Sequence, residues 1–184
     1  MTPRDELRKS ELDGPGAEYF DASGIFYFNG AHTWPVNGVP QNIPGAIYQV
    51  TFKDEHGLSA FLDFYLAEGN DSTVARLYLK AKRAGAELPS ANLRFQFNRE
   101  HQVAAAVVVA ADREANHHWM TCGNSGRDDV LLSHDSWDPD DNLFPAESFI
   151  TVAELREVVT QWVFGDVLPP PAVRWTRVAD VKWL

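Results

Sequence analysis

Ten side chains able to move protons or hold ions fall between positions 117 and 141: His117, His118, Cys122, Asp128, Asp129, His134, Asp135, Asp138, Asp140 and Asp141. Each chemistry they suggest meets an objection of spacing. His117 and His118 are adjacent, so on a strand they point to opposite faces, and Cys122 has no second cysteine to complete a structural zinc site. Asp135, Asp138, Asp140 and Asp141 offer hard oxygens for calcium, yet the turn glycine and closing glutamate of an EF-hand are missing. Cys122 beside a histidine is a possible nucleophile, but a lone cysteine on a strand more often behaves as a small buried hydrophobe. The chain has no phosphate-binding glycine loop, no G-x-S-x-G and no H-E-x-x-H. The expectation is no catalytic residue, no metal and no cofactor. A small metal-assisted hydrolase built on His117 or His118, His134 and the loop from Asp135 to Asp141 is kept as the alternative.

The same stretch reads more simply as a surface that binds. Between Asp112 and Glu147 nine acidic residues are opposed only by Arg113 and Arg127. Trp137 sits among them, and an aromatic rimmed by carboxylates has the composition of an interface anchor with a steering edge. Asp128, Asp129, Asp135, Trp137, Asp138, Asp140 and Asp141 are therefore the expected partner-binding residues. The other reading of this stretch, a solvated loop with Trp137 turned into the core, stays open.

Composition agrees with a binding role. The formal net charge is −10 over 184 residues, a balance that repels nucleic acid and anionic lipid and draws in a basic partner. Many acidic proteins carry such a charge merely for solubility. The one cysteine rules out an internal disulfide, in keeping with a reducing cytoplasm. The N-terminus is charged where a signal peptide needs an apolar core, and the longest apolar run, Val103 to Ala111, is about half a membrane span. The expectation is a cytoplasmic protein with no membrane association.

The elements that must position this loop are read from periodicity. A single domain is expected over 1–184, with a loose polar tail at 1–23, a strand and irregular loop at 24–45, and a body at 46–178. Tyr48, Val50 and Phe52 alternate as in a strand, and Leu58, Phe61, Leu62, Tyr65 and Leu66 form a helical stripe. Asp71 to Thr73 can cap a second helix with Val74, Leu77, Tyr78 and Ala81 facing inward. Leu93 to Phe97 alternates, Gln102 to Ala111 reads as a central strand covered on both faces, and His117 to Cys122 and Val130 to His134 are shorter strands.

The C-terminal part is the most legible. Thr151 and Glu154 form a capping box before Val152, Leu155, Val158, Val159, Trp162 and Val163, an amphipathic stripe, and Gly165 can stop the helix in a left-handed conformation. Pro169 to Pro171 prevent its resumption, and Val173 and Trp175 begin a last strand. The fold class expected is α+β: an antiparallel meander sheet with two helices before it and one amphipathic C-terminal helix docked on a face, closed by a short last strand.

Phe144, Pro145, Ser148, Ile150, this helix, Phe164, Gly165, Pro171, Val173 and Trp175 stand in an order that resembles the C-terminal signature of the Imm-one family, immunity proteins of bacterial polymorphic toxin systems. The resemblance spans roughly Ala46 to Arg177 and is strongest in the last third. The gap after Gly165 is longer than the family's, and the first forty residues have no counterpart. The resemblance implies an antitoxin that binds a cognate toxin domain, such as a nucleic-acid deaminase or nuclease with a basic active-site surface, with no chemistry and no nucleic-acid binding of its own; an interaction module outside toxin systems stands beside the hydrolase as the other alternative.

Overall fold

The computed structural model describes residues 6–13, 20–28, 31–36, 39–44, 47–52, 54–83, 86–112, 115–125, 127, 129–135 and 139–179. The elements run β1 (Leu7–Arg8), α1 (Lys9–Asp13), β2 (Phe20–Tyr27), β3 (Ala31–Val36), β4 (Val39–Pro44), β5 (Ile47–Thr51) and α2 (Glu55–Glu68). There follow β6 (Ala75–Arg83), β7 (Ala86–Asn98), β8 (Val103–Ala111), β9 (Asn116–Cys122), β10 (Ile150–Thr151), α3 (Val152–Phe164), β11 (Val167–Leu168) and β12 (Arg174–Arg177). The protein is α+β. One antiparallel sheet has the order β12-β9-β8-β7-β6-β2-β5, and β10 pairs with the start of β8.

The central strand β8 shows how the sheet sorts its two faces. Ala104, Ala106, Val108 and Ala110 join the main core with Leu93, Phe95 and Phe97 of β7, while Val103, Ala105, Val107 and Val109 join a second core on the opposite face. Alternation with apolar residues on both sides is what a doubly covered strand requires. Helices cover the first face. Trp162, Val158, Val159 and Leu155 of α3 are almost fully buried there, beside Phe61 and Tyr65 of α2. Phe26 sits edge-on to both of these rings at 4.5 and 4.8 Å, a geometry that adds to simple burial.

The capping box of α3 forms, with Glu154 N donating to Thr151 Oγ1 at 3.1 Å and Thr151 N to Glu154 Oε2 at 2.7 Å. Arg156 ties α3 to α2, donating to Asp63 Oδ1 at 2.7 Å and to Ser59 Oγ at 2.7 Å. The stop of α3 differs from the expected one. Gly165 has φ −75°, an ordinary extended conformation; a Cβ there would lie 2.5 Å from the Gln161 carbonyl oxygen, so close approach is what calls for glycine.

Three further expectations are corrected. The second helix is a strand, β6: Ala75, Leu77 and Leu79 are buried in the main core at period two, with Arg76 and Tyr78 on the other face. Its would-be cap is spent on a turn, since Asn70 Oδ1 accepts from Ser72 N at 3.0 Å and Asp71 Oδ2 from Arg99 N at 3.0 Å. The irregular loop at 31–45 contains the β3–β4 hairpin, paired from Ala31↔Pro44 to Val36↔Val39. Its sequence between the strands is Asn-Gly, the pair favoured by two-residue hairpins. The tail at 1–23 is anchored at 7–13, where Leu7 and Leu12 enter the main core and β1 pairs with β11. Lys9 Nζ donates to the main-chain carbonyls of Trp162 and Val163, so it caps the last turn of α3.

Candidate partner-binding loop

Among the described residues no α-helix packs on the second face of the sheet. It is covered by the chain between Gly123 and Phe149, which inserts Val130, Leu132, Phe144 and Phe149 against Val103, Val107, Val109 and Met120. Where β9 diverges from β8, Thr121 bridges the gap: its Oγ1 donates to the Ser148 carbonyl at 2.7 Å and accepts from Ala106 N at 3.1 Å. Gly123 then doubles the chain back on itself. A Cβ at Gly123 would stand 2.0 Å from the Phe149 carbonyl oxygen, so only glycine fits.

The stretch Val130 to His134, expected as a strand, is instead the arm of a small loop held by a single bridge between Ser133 and Leu143. Phe144 N donates to the Leu132 carbonyl at 2.8 Å and His134 N to that of Asn142 at 3.0 Å. Ser133 fastens this loop to the sheet. Its N–H donates to Gln96 Oε1 of β7, and its Oγ accepts from Asp135 N at 3.1 Å. A loop anchored this way presents its outer residues on a fixed frame.

The carboxylates expected to meet a partner fall into three environments. Asp140 and Asp141 lie exposed on the turn from Pro139 to Asn142. Asp129 is exposed too, and Arg127 grips both its oxygens at 2.9 and 3.0 Å; this hydrogen-bonded guanidinium holds the Asp129 carboxyl below the usual range. Asp135 departs from expectation. It is 1% exposed and its Oδ1 lies 3.5 Å from Arg76 Nη2, so it serves the interior and is withdrawn from any partner. A buried carboxylate needs a paired cation, and β6 supplies one. Asp128, Trp137 and Asp138 lie outside the described residues.

Sequence reasoning missed two residues of this surface. Leu131 is 74% exposed between buried Val130 and Leu132, and Leu143 is 40% exposed between buried Asn142 and Phe144. The run Val-Leu-Leu carried the signal, because consecutive apolar residues in an extended segment cannot all face one side.

The side chains of the metal-hydrolase reading do not all share one face of the sheet. His117 lies on the main-core face, stacked on Trp119 at 5.4 Å, with Nε2 3.0 Å from Asp112 Oδ2, whereas His118 shares the face of Met120. His134 sits edge-on to Phe144 at 5.4 Å. Among the described residues no three of His, Cys, Asp and Glu converge as a metal would require. Among the same residues no helix is long and apolar enough to cross a membrane.

No family model, curated protein or solved structure matches the chain.

Proposed function

We propose that this protein is a cytoplasmic immunity protein that binds a cognate secreted toxin domain and blocks its active site, the toxin being one that acts on nucleic acid, such as a deaminase or nuclease. The observation that carries the reading is Leu131, a large apolar side chain 74% exposed next to Asp129 on a loop that also displays Asp140 and Asp141. Single exposed apolar residues are ordinary. This one stands on an anchored loop, with a second exposed leucine on the facing arm and carboxylates beside both. That is an apolar contact with a negative rim, and it suits a partner whose own surface is basic.

A nucleic-acid enzyme has such a surface, because its substrate channel must attract phosphates. Carboxylates placed in that channel compete for the same cations without presenting a scissile bond. Inhibition then needs no chemistry from this chain. The net charge of −10 and the resemblance of the order from Phe144 to Trp175 to the Imm-one signature support the same reading.

The test is a rescue assay. The C-terminal domain of whatever protein the neighbouring upstream gene encodes is expressed in a susceptible bacterium with and without this protein, and survivors are counted. Killing by the domain alone, abolished by co-expression and accompanied by copurification, is the expected result. Undiminished killing, or no killing at all, removes the proposal.

A further inference from the structure

A cleft where the N-terminal segment meets the end of α3 plays no part in the immunity reading. It is open to solvent and has a volume of about 320 Å³. Arg8, Lys9 and Ser10 of the N-terminal segment line it together with Val163, Gly165 and Asp166. Two backbone contacts hold the segment there: β1 pairs with β11, and Lys9 N donates to the Asp166 carbonyl at 2.9 Å. Lys9 lines the cleft although it is only 6% exposed. A cleft of this size admits a small organic molecule.

The surroundings of this amine favour its neutral form. Its hydrogen bonds go to uncharged acceptors, the main-chain carbonyls of Trp162 and Val163. Arg8 and Asp166 are the charged side chains that line the cleft with it, and they pair with each other. Burial lowers the Lys9 pKa more than the distant charge of Asp166 raises it, and the result is about 8. Such a value leaves roughly a quarter of the amine free at about pH 7.5, where an ordinary lysine leaves about one part in a thousand. Both hydrogens of the neutral amine can stay on the two carbonyls, and its lone pair is left over. A desolvated lysine with a free lone pair is a nucleophile.

The geometry points to Lys9 as an acyl-accepting site, which takes the acyl group of a small acyl phosphate that enters the cleft. The lone pair of Nζ attacks the carbonyl carbon, and a C–N bond forms as the C–O bond to phosphate breaks. Phosphate leaves with the electron pair, and the amine proton passes to water. Arg8, a cation on the same cleft, suits the phosphate of the incoming molecule. The amide that results is neutral, as burial requires, and keeps one N–H for a carbonyl at the end of α3. The site is independent of the acidic loop and of any toxin.

The experiment incubates the whole protein with acetyl phosphate over a range of pH and times acetylation at each lysine by peptide mass mapping. Near neutral pH Lys9 should react at least tenfold faster than Lys53, Lys80, Lys82 or Lys182. Its rate should level off above pH about 8, while theirs climb on towards 10.5. The same mapping on the urea-unfolded chain removes the cleft and keeps the local sequence, and there the preference for Lys9 should vanish. A Lys9 that reacts no faster than the other lysines, a rate that keeps rising with theirs, or a preference that persists in urea overturns the site.

Discussion

Asp135 Oδ1 and Arg76 Nη2 lie 3.5 Å apart, both side chains almost wholly removed from water. The pair joins the covering loop to the middle of the sheet, and losing the carboxylate leaves the buried Arg76 charge without it. Asp135→Asn should therefore lower the unfolding free energy by about 3–5 kcal/mol. Asp140→Asn, on the exposed turn, should stay within about 0.5 kcal/mol of the parent. Urea denaturation separates the two; equal effects would mean that the buried pair contributes nothing particular.

For recognition the order reverses. If the proposed immunity role holds, Leu131→Ser should speed dissociation from the toxin domain enough to cost about 2 kcal/mol or more of binding, as expected of an apolar anchor, while leaving the melting temperature in place. Asp140→Lys with Asp141→Lys should slow association at low salt and flatten its salt dependence. Rates measured by surface plasmon resonance that match the parent in both variants would move the interface off this loop.

Gly123→Ala tests the close approach that folds the loop back. A methyl group 2.0 Å from the Phe149 carbonyl oxygen forces the two segments apart, and overpacking of this kind costs roughly 1–3 kcal/mol. Since Gly123 N–H also donates to the Glu147 carbonyl at 2.9 Å, amide exchange should accelerate at Gly123 and Ser125 before anywhere in α3. Uniform exchange across the protein would contradict it.

Lys9 gives the stability a pH signature. Burial lowers its pKa from the ordinary 10.5 to about 8, with Asp166 in partial opposition. Between these values the unfolded chain holds a proton that the folded protein has released, so stability rises as pH goes from about 8 towards 10. Burial raises the Tyr65 phenol above its ordinary 10.0, so beyond pH 10 the unfolded chain loses that proton first and stability falls again. Lys9→Met should remove the rise while keeping the fall. A melting-temperature profile unchanged by the substitution would show that the Lys9 charge is not coupled to folding.

The parts of the fold legible in the sequence were those where one signal had no rival. In α3 the Thr151–Glu154 box, the apolar stripe and the following prolines all agree, and in β8 the run from Val103 to Ala111 allows little but a doubly covered strand. The segment at 74–83 misled because Val74, Leu77, Tyr78 and Ala81 satisfy the helical period while Ala75, Leu77 and Leu79 satisfy the strand period, and pairing with β2 and β7 decided between them. The charge of the loop was legible in the sequence, but not which way its side chains turn. Nothing local distinguishes Asp135 from Asp140; the difference arises from Arg76, some sixty residues earlier, which periodicity had assigned to a helix.

The pairing of β1 with β11 sets Leu7 opposite Leu168. As the chain leaves the ribosome, β1 has no strand partner among the described residues until Val167 and Leu168 have been made, whereas β6 to β9 pair as consecutive neighbours. Contacts so distant in sequence form late, because the loop they close is long. The meander can therefore assemble during synthesis, and the N-terminal segment docks afterwards, with Lys9 reaching the end of α3 only once that helix exists. A ribosome stalled before Val167 should hold a sheet that is already protected and an N-terminus still open to proteases.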